Sequence, residues 1–328
     1  PKFRALQIWQ WIWRKNVADF EAMTDVSRET RALLTERATL SRPEVAVVRQ
    51  SSDGTVKFLL RLADGEHVET VLIPSNAPPA GRMTQCLSTQ VGCAMGCTFC
   101  STGGLGFTRN MSMGEILGQL QAARAWLGDD LPERPIIRNL VYMGMGEPLL
   151  NLPQVMRSLQ TLHHPRGLNF SARRITVSTC GIEHGLRELG ESGLAYLAVS
   201  LHAPTQELRA RLMPKAARWP LDELVTALES YPLKTRERIT LEYLVIGGVN
   251  DGPEQARQLV RLCSRLKAKL NLIPYNPTPG SAYRPPTPES LLAFEKMLWD
   301  KHVTAIVRKS KGQDIEAACG QLRAALRD

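Results

Sequence analysis

The spacing of hydrophobic positions changes along the chain and divides it into three regions. In residues 1–43 apolar side chains recur at helical spacing and predict helices, the second over 24–34. Residues 44–73 alternate apolar and polar side chains around two Asp-Gly turns, which predicts a small antiparallel sheet. The Pro- and Gly-rich stretch 75–82 predicts a linker. We therefore expect a domain boundary between residues 81 and 82.

From residue 82 onward, strand-like and helix-like segments alternate. The predicted strands are 84–91, 137–143, 174–178, 195–201, 239–246 and 269–273. The predicted helices are 113–127, 152–162, 182–192, 221–230 and 255–266, followed by a helix over 288–299 and a short strand over 304–307. Six βα units predict a parallel sheet or partial barrel.

The predicted fold class is therefore α/β, a partial (βα)6 TIM-like barrel with a small N-terminal helical plus β accessory domain. The expected domains are a helical RNA-binding accessory domain (1–43), a small β subdomain with its linker (44–81), and a catalytic domain with a C-terminal tail (82–328).

Composition narrows the class of partner. The net charge of +9 favours an anionic partner, and nucleic acid is the commonest one, although basic clusters at 173–174, 215–218 and 308–311 could each be solvated faces.

No apolar run approaches the roughly 20 residues of a membrane helix, so we expect no membrane association. Seven cysteines, clustered and odd in number, predict reduced thiols in the cytoplasm.

Small and polar residues follow the successive predicted strands. They are found at 144–147, 178–179, 200–202, 250–251 and 276. Loops after strands are polar in any protein, but in βα barrels the carboxyl ends of the strands build the active site. The repetition at strand after strand favours an active site at this end of the sheet.

Three cysteines with the spacing C-x3-C-x2-C form the strongest chemical signal. Cys93, Cys97 and Cys100 bring three thiolates into one loop, which suits a soft metal or an iron–sulfur cluster. The alternative is a zinc site with Cys86 as the fourth ligand. It is less favoured, because Cys86 lies on the strand that enters the loop and zinc sites usually pair two short ligand units.

The stretch CAMGCTFC resembles the C-x3-C-x-aromatic-C signature of the radical S-adenosylmethionine (SAM) superfamily. The resemblance implies a barrel of the radical SAM type, in which Cys93, Cys97 and Cys100 hold one [4Fe–4S] cluster. In that superfamily the fourth iron stays open for SAM, and an electron from the cluster cleaves SAM to a 5′-deoxyadenosyl radical.

Longer motifs resemble the RlmN branch of the RlmN/Cfr family. They are QVGCAMGCTFCSTGGLGFTRN, MGMGEPLLN, RRITVSTCG, VSLHAP, NLIPYNP and IEAACGQL. The resemblance implies methylation of adenine C2 in 23S rRNA, at the peptidyl transferase centre, and in the anticodon loop of certain tRNAs. It also implies two SAM molecules per turnover, an S-methylcysteine intermediate, a transient protein–RNA adduct, an electron donor such as flavodoxin, and a monomer.

The same resemblance assigns roles to three residues outside the cluster. Cys319 corresponds to the S-methylcysteine, Cys86 to the resolving cysteine and Glu69 to the proton acceptor. Taken alone, an isolated cysteine is usually a small buried residue and a strand glutamate is usually a surface residue. Lys309, Lys311 and nearby glycines predict a mobile, electropositive tail that lowers the pKa of the Cys319 thiol.

The resemblance also implies a set of SAM contacts, none of which could be named from residue type alone. They are Gly146, Glu147, Ser178, Ser200, Leu201, His202 and Asn276.

Two alternative functions stay open from the sequence. A Cfr-type enzyme would use the same cysteines and methylate adenine C8, but Pro148 and the run CSTGGLGFTRN favour the RlmN branch. A zinc-stabilised RNA-binding protein without catalysis would leave the GMGEP and SLH motifs and the tail cysteine unexplained. We expect structural roles for Cys263, on an apolar helix, and assign none to Cys180.

Overall fold

The structure is a computed structural model that describes residues 2–75, 81–129 and 135–324. Ten strands form one sheet in the order β1-β2-β3-β4-β7-β8-β9-β10-β11-β12, and β5 pairs with β6 in a separate ribbon. The strands are β1 Glu44–Gln50, β2 Val56–Arg61, β3 His67–Pro74, β4 Met83–Cys86, β5 Gln90–Gly92, β6 Phe107–Asn110, β7 Ile137–Tyr142, β8 Ile175–Thr179, β9 Tyr196–Ser200, β10 Ile239–Val245, β11 Ala268–Pro274 and β12 Ala305–Val307.

Helices follow most strands of the parallel half of this sheet. They are α1 Lys2–Trp13, α2 Arg28–Arg37, α3 Ser101–Leu105, α4 Met113–Leu127, α5 Leu152–His163, α6 Glu183–Ser192, α7 Gln206–Leu212, α8 Leu221–Glu229, α9 Pro253–Ser264 and α10 Pro288–Trp299. Short 3-10 turns occur at Pro148–Asn151, Ala172–Arg174, Ala216–Arg218 and Gln313–Ile315.

The parallel half confirms the predicted α/β architecture. Strands β4 and β7 to β12 pair in parallel, and β8, β9 and β10 at the centre of this half are mostly buried, as expected for a sheet covered by helices. Among the described residues the two edge strands, β1 and β12, do not pair with each other, so the sheet forms an open, partial barrel.

The predicted strand 84–91 is divided in two. β4 ends at Cys86, and three residues later Thr89 N donates to Met145 O instead of continuing the main ladder. The chain then enters β5, which pairs antiparallel with β6. The sequence pattern predicts a single strand here because only three residues, none of them Gly or Pro, separate the two segments.

The N-terminal strands extend the barrel sheet. β1, β2 and β3 form an antiparallel meander, and β3 pairs antiparallel with β4 through Val71 and Cys86. The sheet is therefore continuous across the predicted boundary at 81/82, and residues 76–80 of the predicted linker lie outside the described residues. The division into three domains stays a prediction.

The N-terminal helices contact the barrel through α4. Asn16 donates its side-chain amide to Gln121 O at 3.1 Å, and Arg124 donates to Trp13 O at 3.0 Å. The second helix, α2, begins at residue 28, four positions after the predicted start at 24, because the side chain of Ser27 caps it by accepting from Thr30 N.

Candidate active site

The loop that carries the clustered cysteines lies between β5 and α3. Cys93, Cys97 and Cys100 are free thiols, partly buried, and all three line one cavity. Cys93 N donates to Gly106 O at 2.7 Å, and Cys100 N donates to Cys97 O at 3.2 Å. Backbone hydrogen bonds within the loop therefore hold the three thiols on one side of the cavity.

Glycines allow this loop to be compact. Gly92 has a φ of +72°, and a Cβ added there would lie 2.1 Å from Gly106 O. A Cβ at Gly103 would lie 2.8 Å from Cys97 O. A side chain at either position would push the two ends of the loop apart and displace the cysteines.

Burial controls the ionisation of the cysteine thiols. It raises the pKa of Cys93 to about 11, and it raises the pKa of Cys97, with the thiolates of Cys100 and Cys93 acting in the same direction. Neighbouring thiolates repel one another. A bound cation offsets this repulsion, because the metal replaces the proton on each sulfur. The donor set therefore fits a cationic centre.

The spacing of the thiols also bears on the kind of centre. Within residues 2–75, 81–129 and 135–324, no group of three or more His, Cys, Asp or Glu side chains is close enough to share one metal ion. A zinc ion needs its sulfur ligands about 2.3 Å away. In an iron–sulfur cluster each cysteine sulfur binds a different iron atom, so three thiols that line one cavity need not share a single metal ion.

The cavity has a volume of about 170 Å³ and lies at the carboxyl ends of the parallel strands, where the sequence predicts the active site. It brings together most of the predicted site residues: Cys93, Cys97, Cys100, Gly146, Glu147, Ser178, Ser200, His202 and Cys319. Four other predicted residues are not in its lining: Glu69, Cys86, Leu201 and Asn276.

Glu147 is held by the loop that follows β7. Its carboxylate accepts from Leu149 N at 3.0 Å and from Cys180 N at 2.8 Å, and burial raises its pKa while these hydrogen bonds lower it. Gly146 precedes it with a φ of +96°, and a Cβ there would lie 2.6 Å from Gln90. The glycine is required because β5 runs directly against this loop.

Three adjacent strands contribute a row of hydrogen-bonded side chains. Ser178 on β8 donates to Glu242 Oε2 at 2.6 Å, and Ser200 on β9 donates to the same oxygen at 3.5 Å. Glu242, on β10, is buried and lines the cavity. Sequence reasoning missed Glu242, although a single carboxylate within the apolar strand ITLEYLV was a usable signal.

His202 is a buried, neutral imidazole. Burial, together with the charge of Arg209, lowers its pKa to about 3. Its Nδ1 accepts from Leu244 N at 3.0 Å, and its ring packs edge-on against Phe99 in the cysteine loop. The preceding Leu201 is buried and donates its backbone N–H to Glu242 O at 3.0 Å, so this segment is fixed to β10.

Asn276 contacts the C-terminal tail. Its Nδ2 donates to Cys319 O at 3.2 Å, and its Oδ1 accepts from Gln313 at 2.8 Å. Both ends of the amide are therefore used to hold the segment that carries Cys319.

Cys319 faces the cavity and lies near Cys86. Its surface is exposed toward the cavity, yet the surrounding protein raises its pKa to about 11, and the charge of Glu242 acts in the same direction. Burial also raises the pKa of Cys86, and the charge of a Cys319 thiolate acts in the same direction, so the two side chains lie within electrostatic range of each other. Both are free thiols.

The predicted effect of the tail on Cys319 is wrong in direction. Arg308 lowers the pKa of Cys319, but burial raises it more. Lys311 does not face this thiol, because its Nζ donates to Pro74 O at 2.9 Å. The tail is packed rather than open: Ser101 N donates to Gly320 O, and a Cβ at Gly312 would lie 2.8 Å from Thr55.

Glu69 is buried on β3 and is not the surface residue that its type suggests. Its carboxylate forms an ion pair with Lys57 at 3.0 Å and accepts from Arg323 N at 2.8 Å. Lys57 also donates to Glu316 O at 3.0 Å, so the tail lies over this carboxylate. Glu69 lines a small pocket of its own, with Lys57 and Arg323.

Two family models match the chain. Residues 87–260 match the radical SAM superfamily, and residues 1–40 match the ribosomal RNA large subunit methyltransferase N-terminal domain. The first match contains the cysteine loop and the three hydrogen-bonded residues Ser178, Ser200 and Glu242 on β8, β9 and β10.

Similar proteins extend the match to the whole chain. A dual-specificity RNA methyltransferase RlmN from Nitratidesulfovibrio vulgaris (strain DP4) is 70% identical over 325 residues, which cover 99% of this chain and 89% of that protein. The chain belongs to the RlmN family. An RlmN protein from Oleidesulfovibrio alaskensis is 68% identical over 99% of this chain and 90% of its own length.

A solved relative agrees with the RlmN assignment. The crystal structure of a radical SAM methyltransferase from Sphaerobacter thermophilus superposes with a TM-score of 0.92 at 44% identity, covering 99% of this chain and 94% of that one. The predicted radical SAM fold, methyltransferase class and cofactors, one [4Fe–4S] cluster and SAM, are confirmed for this RlmN family member. The roles of individual residues stay predictions.

No helix in the part of the chain that the structure describes is long and apolar enough to cross a membrane.

Proposed function

We propose that the chain methylates C2 of an adenosine in 23S rRNA, at the peptidyl transferase centre, and of an adenosine in the anticodon loop of certain tRNAs. The relatives named as dual-specificity RNA methyltransferases support RNA as the substrate class. The observation that carries the proposal is the cavity itself, because Cys319 shares it with Cys93, Cys97 and Cys100.

Cys319 would be the methyl acceptor. Adenine C2 is not nucleophilic, so a methyl group cannot pass to it directly from SAM. The sulfur of Cys319 loses its proton and takes the methyl group of a first SAM, which leaves as S-adenosylhomocysteine. The cluster, held by Cys93, Cys97 and Cys100, supplies when bound the electron that cleaves a second SAM. SAM cleaved in this way would supply a radical that takes a hydrogen atom from the S-methyl group of Cys319, whose S-methylene carbon would then bond to C2. One electron must leave the adduct together with the C2 proton, and the cluster held by Cys93, Cys97 and Cys100 would be the acceptor for that electron.

Cys86 would resolve the protein–RNA adduct. Its thiolate attacks the sulfur of Cys319, so an S–S bond forms and the bond between sulfur and the methylene carbon breaks. That carbon keeps the electron pair and takes a proton, which gives the methyl group, and an external thiol then reduces the disulfide. The electrostatic interaction between Cys319 and Cys86 supports this pairing.

Glu69 would accept the C2 proton. Its place on β3, paired with the strand β4 that carries Cys86, supports the role. In the described conformation its carboxylate is used by Lys57 and Arg323. We therefore expect the substrate to displace the tail segment around Arg323 before Glu69 can act.

The proposed SAM contacts fall into two groups. Gly146, Glu147, Ser178, Ser200 and His202 line the cavity, which supports their role. Leu201 and Asn276 do not line the cavity and would act indirectly. Leu201 would act through its backbone hydrogen bond to Glu242, and Asn276 by its hydrogen bond to the backbone oxygen of Cys319.

The remaining predictions concern the setting of the reaction. We propose a cytoplasmic monomer that receives electrons from a donor such as flavodoxin. We also propose three domains over 1–43, 44–81 and 82–328, the first of which helps to grip RNA. The match of residues 1–40 to a ribosomal RNA methyltransferase N-terminal domain supports the last point.

Anaerobic reconstitution tests the catalytic class. Protein supplied with iron, sulfide, a reductant and SAM should turn brown and release 5′-deoxyadenosine. The variant Cys97→Ala should lose iron and this activity, whereas Cys263→Ala, on α9, should keep both. A colourless protein that retains zinc and leaves SAM intact would contradict the proposal.

A further inference from the structure

Glu242 occupies a central position among the polar groups of the cavity. Its side chain is 8% exposed and lines the cavity. Its Oε2 accepts from the hydroxyls of Ser178, on β8, and Ser200, on β9, which both lie on the same side of β10 and whose oxygens are 3.4 Å apart. Its backbone oxygen accepts from the N–H groups of Leu201 and His202 at 3.0 and 3.2 Å. One residue therefore touches four of the predicted SAM contacts.

The hydrogen bonds to Glu242 determine what the serines can offer a ligand. A serine hydroxyl has one proton to donate and two lone pairs with which to accept. When both hydroxyls donate to Glu242, the ligand finds only their lone pairs. A neighbouring carboxylate also presents oxygen acceptors and no proton when it is ionised. The row Ser178, Glu242 and Ser200 is therefore a surface of hydrogen-bond acceptors.

The charges near the row fit this description. Burial raises the pKa of Glu242, whereas the hydrogen bond from Ser178 and the positive charge of Arg308 lower it. Arg308, which follows β12, acts on the buried Glu242 carboxylate through its positive charge. Among the described residues the two side chains form no direct ion pair. While Glu242 is ionised, a second carboxylate, such as that of SAM, would be repelled from this row.

We propose that Glu242 is a positioning residue for SAM, which orients Ser178 and Ser200 as acceptors for the donor-bearing groups of SAM. Those groups are the ribose hydroxyls and the ammonium group, and they share the chemistry of N–H or O–H donation. The row thereby excludes the SAM carboxylate and fixes which end of the molecule lies against β8, β9 and β10. The inference rests on the proposed function, because it requires SAM in this cavity.

Equilibrium binding of radiolabelled SAM to anaerobically reconstituted protein tests the inference. Glu242→Gln removes the charge and adds a donor at the same size, so we expect the Kd for SAM to rise about tenfold or more. The rate of Cys319 methylation at saturating SAM should change far less than KM. Glu242→Asp, which keeps the charge, should bind SAM better than Glu242→Gln.

A matched control separates this effect from misfolding. Glu295, on α10, is also a buried glutamate, with 9% exposure, but it accepts from Val307 N and does not line the cavity. Glu295→Gln should bind SAM as the unmodified protein does. Iron content and melting temperature, measured on both variants, show whether the fold and the cysteine loop are intact.

SAM analogues identify the group that the row recognises. The unmodified protein should bind analogues that lack a ribose hydroxyl, or lack the amino group, more weakly than SAM. In Glu242→Gln, the analogue that lacks the group contacting the row should bind as well as SAM does. The analogue that lacks the other group should still bind more weakly than SAM. Discrimination against an analogue without the carboxylate should be the same in both proteins.

Two results would overturn the inference. One is unchanged SAM binding in Glu242→Gln. The other is an equal loss of affinity for SAM and for every analogue, which would indicate a purely structural residue. If the unmodified protein itself neither binds nor cleaves SAM, the proposed function fails, and that outcome is distinct from either result.

Discussion

At the scale of single residues, protonation limits the reactivity of both Cys86 and Cys319. Burial raises the pKa of Cys319 to about 11 and also raises the pKa of Cys86, so both are thiols at neutral pH. Only a thiolate attacks a methyl group or a sulfur atom. The first methyl transfer must therefore be coupled to loss of the Cys319 proton.

Because Cys319 must lose its proton before it can accept a methyl group, its rate of methylation should depend on pH. Because the pKa is raised, the thiolate fraction increases with pH throughout the neutral and mildly alkaline range, about tenfold per pH unit below the pKa. Single-turnover methylation of Cys319, measured by mass spectrometry, should accelerate from pH 7 to 9.5. A free peptide spanning 311–324 should level off near its ordinary thiol pKa of about 8.5. A rate in the folded protein that is flat over this range would contradict the expectation.

Removing each cysteine should stop the reaction at a different point. Cys86→Ala still allows Cys319 to be methylated and to bond to RNA, so the adduct should accumulate. Cys319→Ala should form no adduct. A denaturing gel with labelled RNA reads both, and Cys263→Ala is the control. Normal turnover by Cys86→Ala would rule out its resolving role.

At the scale of elements, the cysteine loop depends on two backbone segments that nearly touch. A Cβ at Gly92 would lie 2.1 Å from Gly106 O, in a residue whose φ is +72°. Gly104, in the adjoining α3, has nothing within 4 Å of its Cβ position. The two positions are twelve residues apart and differ in the room they leave for a side chain.

Alanine at these glycines should therefore give opposite results. Gly92→Ala should destabilise the protein by about 1–3 kcal/mol or more, through the strained backbone and the displaced carbonyl, and should lower iron content after reconstitution. Gly104→Ala should be neutral or stabilising by up to about 1 kcal/mol, since alanine favours a helix. Urea unfolding and iron analysis measure both effects. Equal stability and iron content in the two variants would show that the close approach does not matter.

Elements with long apolar runs could be predicted from the sequence, and short ones could not. β10 and β11, seven residues each, lie within one residue of their predicted bounds. β5, β6 and α3 have three to five residues, too few for a periodicity to be measured. The predicted strand 84–91 therefore covers both β4 and part of β5, which the structure shows to be separate strands.

The candidate site was predictable where it consists of spaced motifs and strand ends. The cysteines and the residues after β7, β8 and β9 meet at one cavity because parallel strands end at the same edge. The packing of the tail was not predictable, since contacts such as Ser51 with Asp314 join residues 263 positions apart. For the same reason the sequence could not show that burial would outweigh the lysines near Cys319.

At the scale of the whole molecule, basic residues lie at different places around the barrel. Arg173 and Arg174 precede β8, at the end of the sheet opposite the cysteine cavity. Lys215 is exposed beside the cysteine loop, where its Cε would lie 3.9 Å from a Cβ at Gly96. Lys215 therefore lies on the same side of the barrel as the cysteine loop, where we expect RNA to approach Cys319.

Charge reversal at Lys215 should weaken RNA binding. A lost phosphate contact should reduce the salt dependence of the association constant by about one unit of slope, and binding at low salt should fall severalfold, about tenfold at most. Arg187→Glu, on the exposed face of α6, changes the net charge equally and is the control. Filter binding across salt concentrations distinguishes them. Equal losses in the two variants would indicate a general charge effect only.

The account as a whole claims that the methyl carbon passes through Cys319 before it reaches RNA. Protein methylated with trideuteromethyl SAM, freed of that SAM and given unlabelled SAM, reductant and a 23S rRNA fragment tests this in one turnover. We predict 2-methyladenosine that carries two deuterium atoms, with the third in 5′-deoxyadenosine. An unlabelled methyl group in the first turnover, or methyl at C8 alone, would contradict the account.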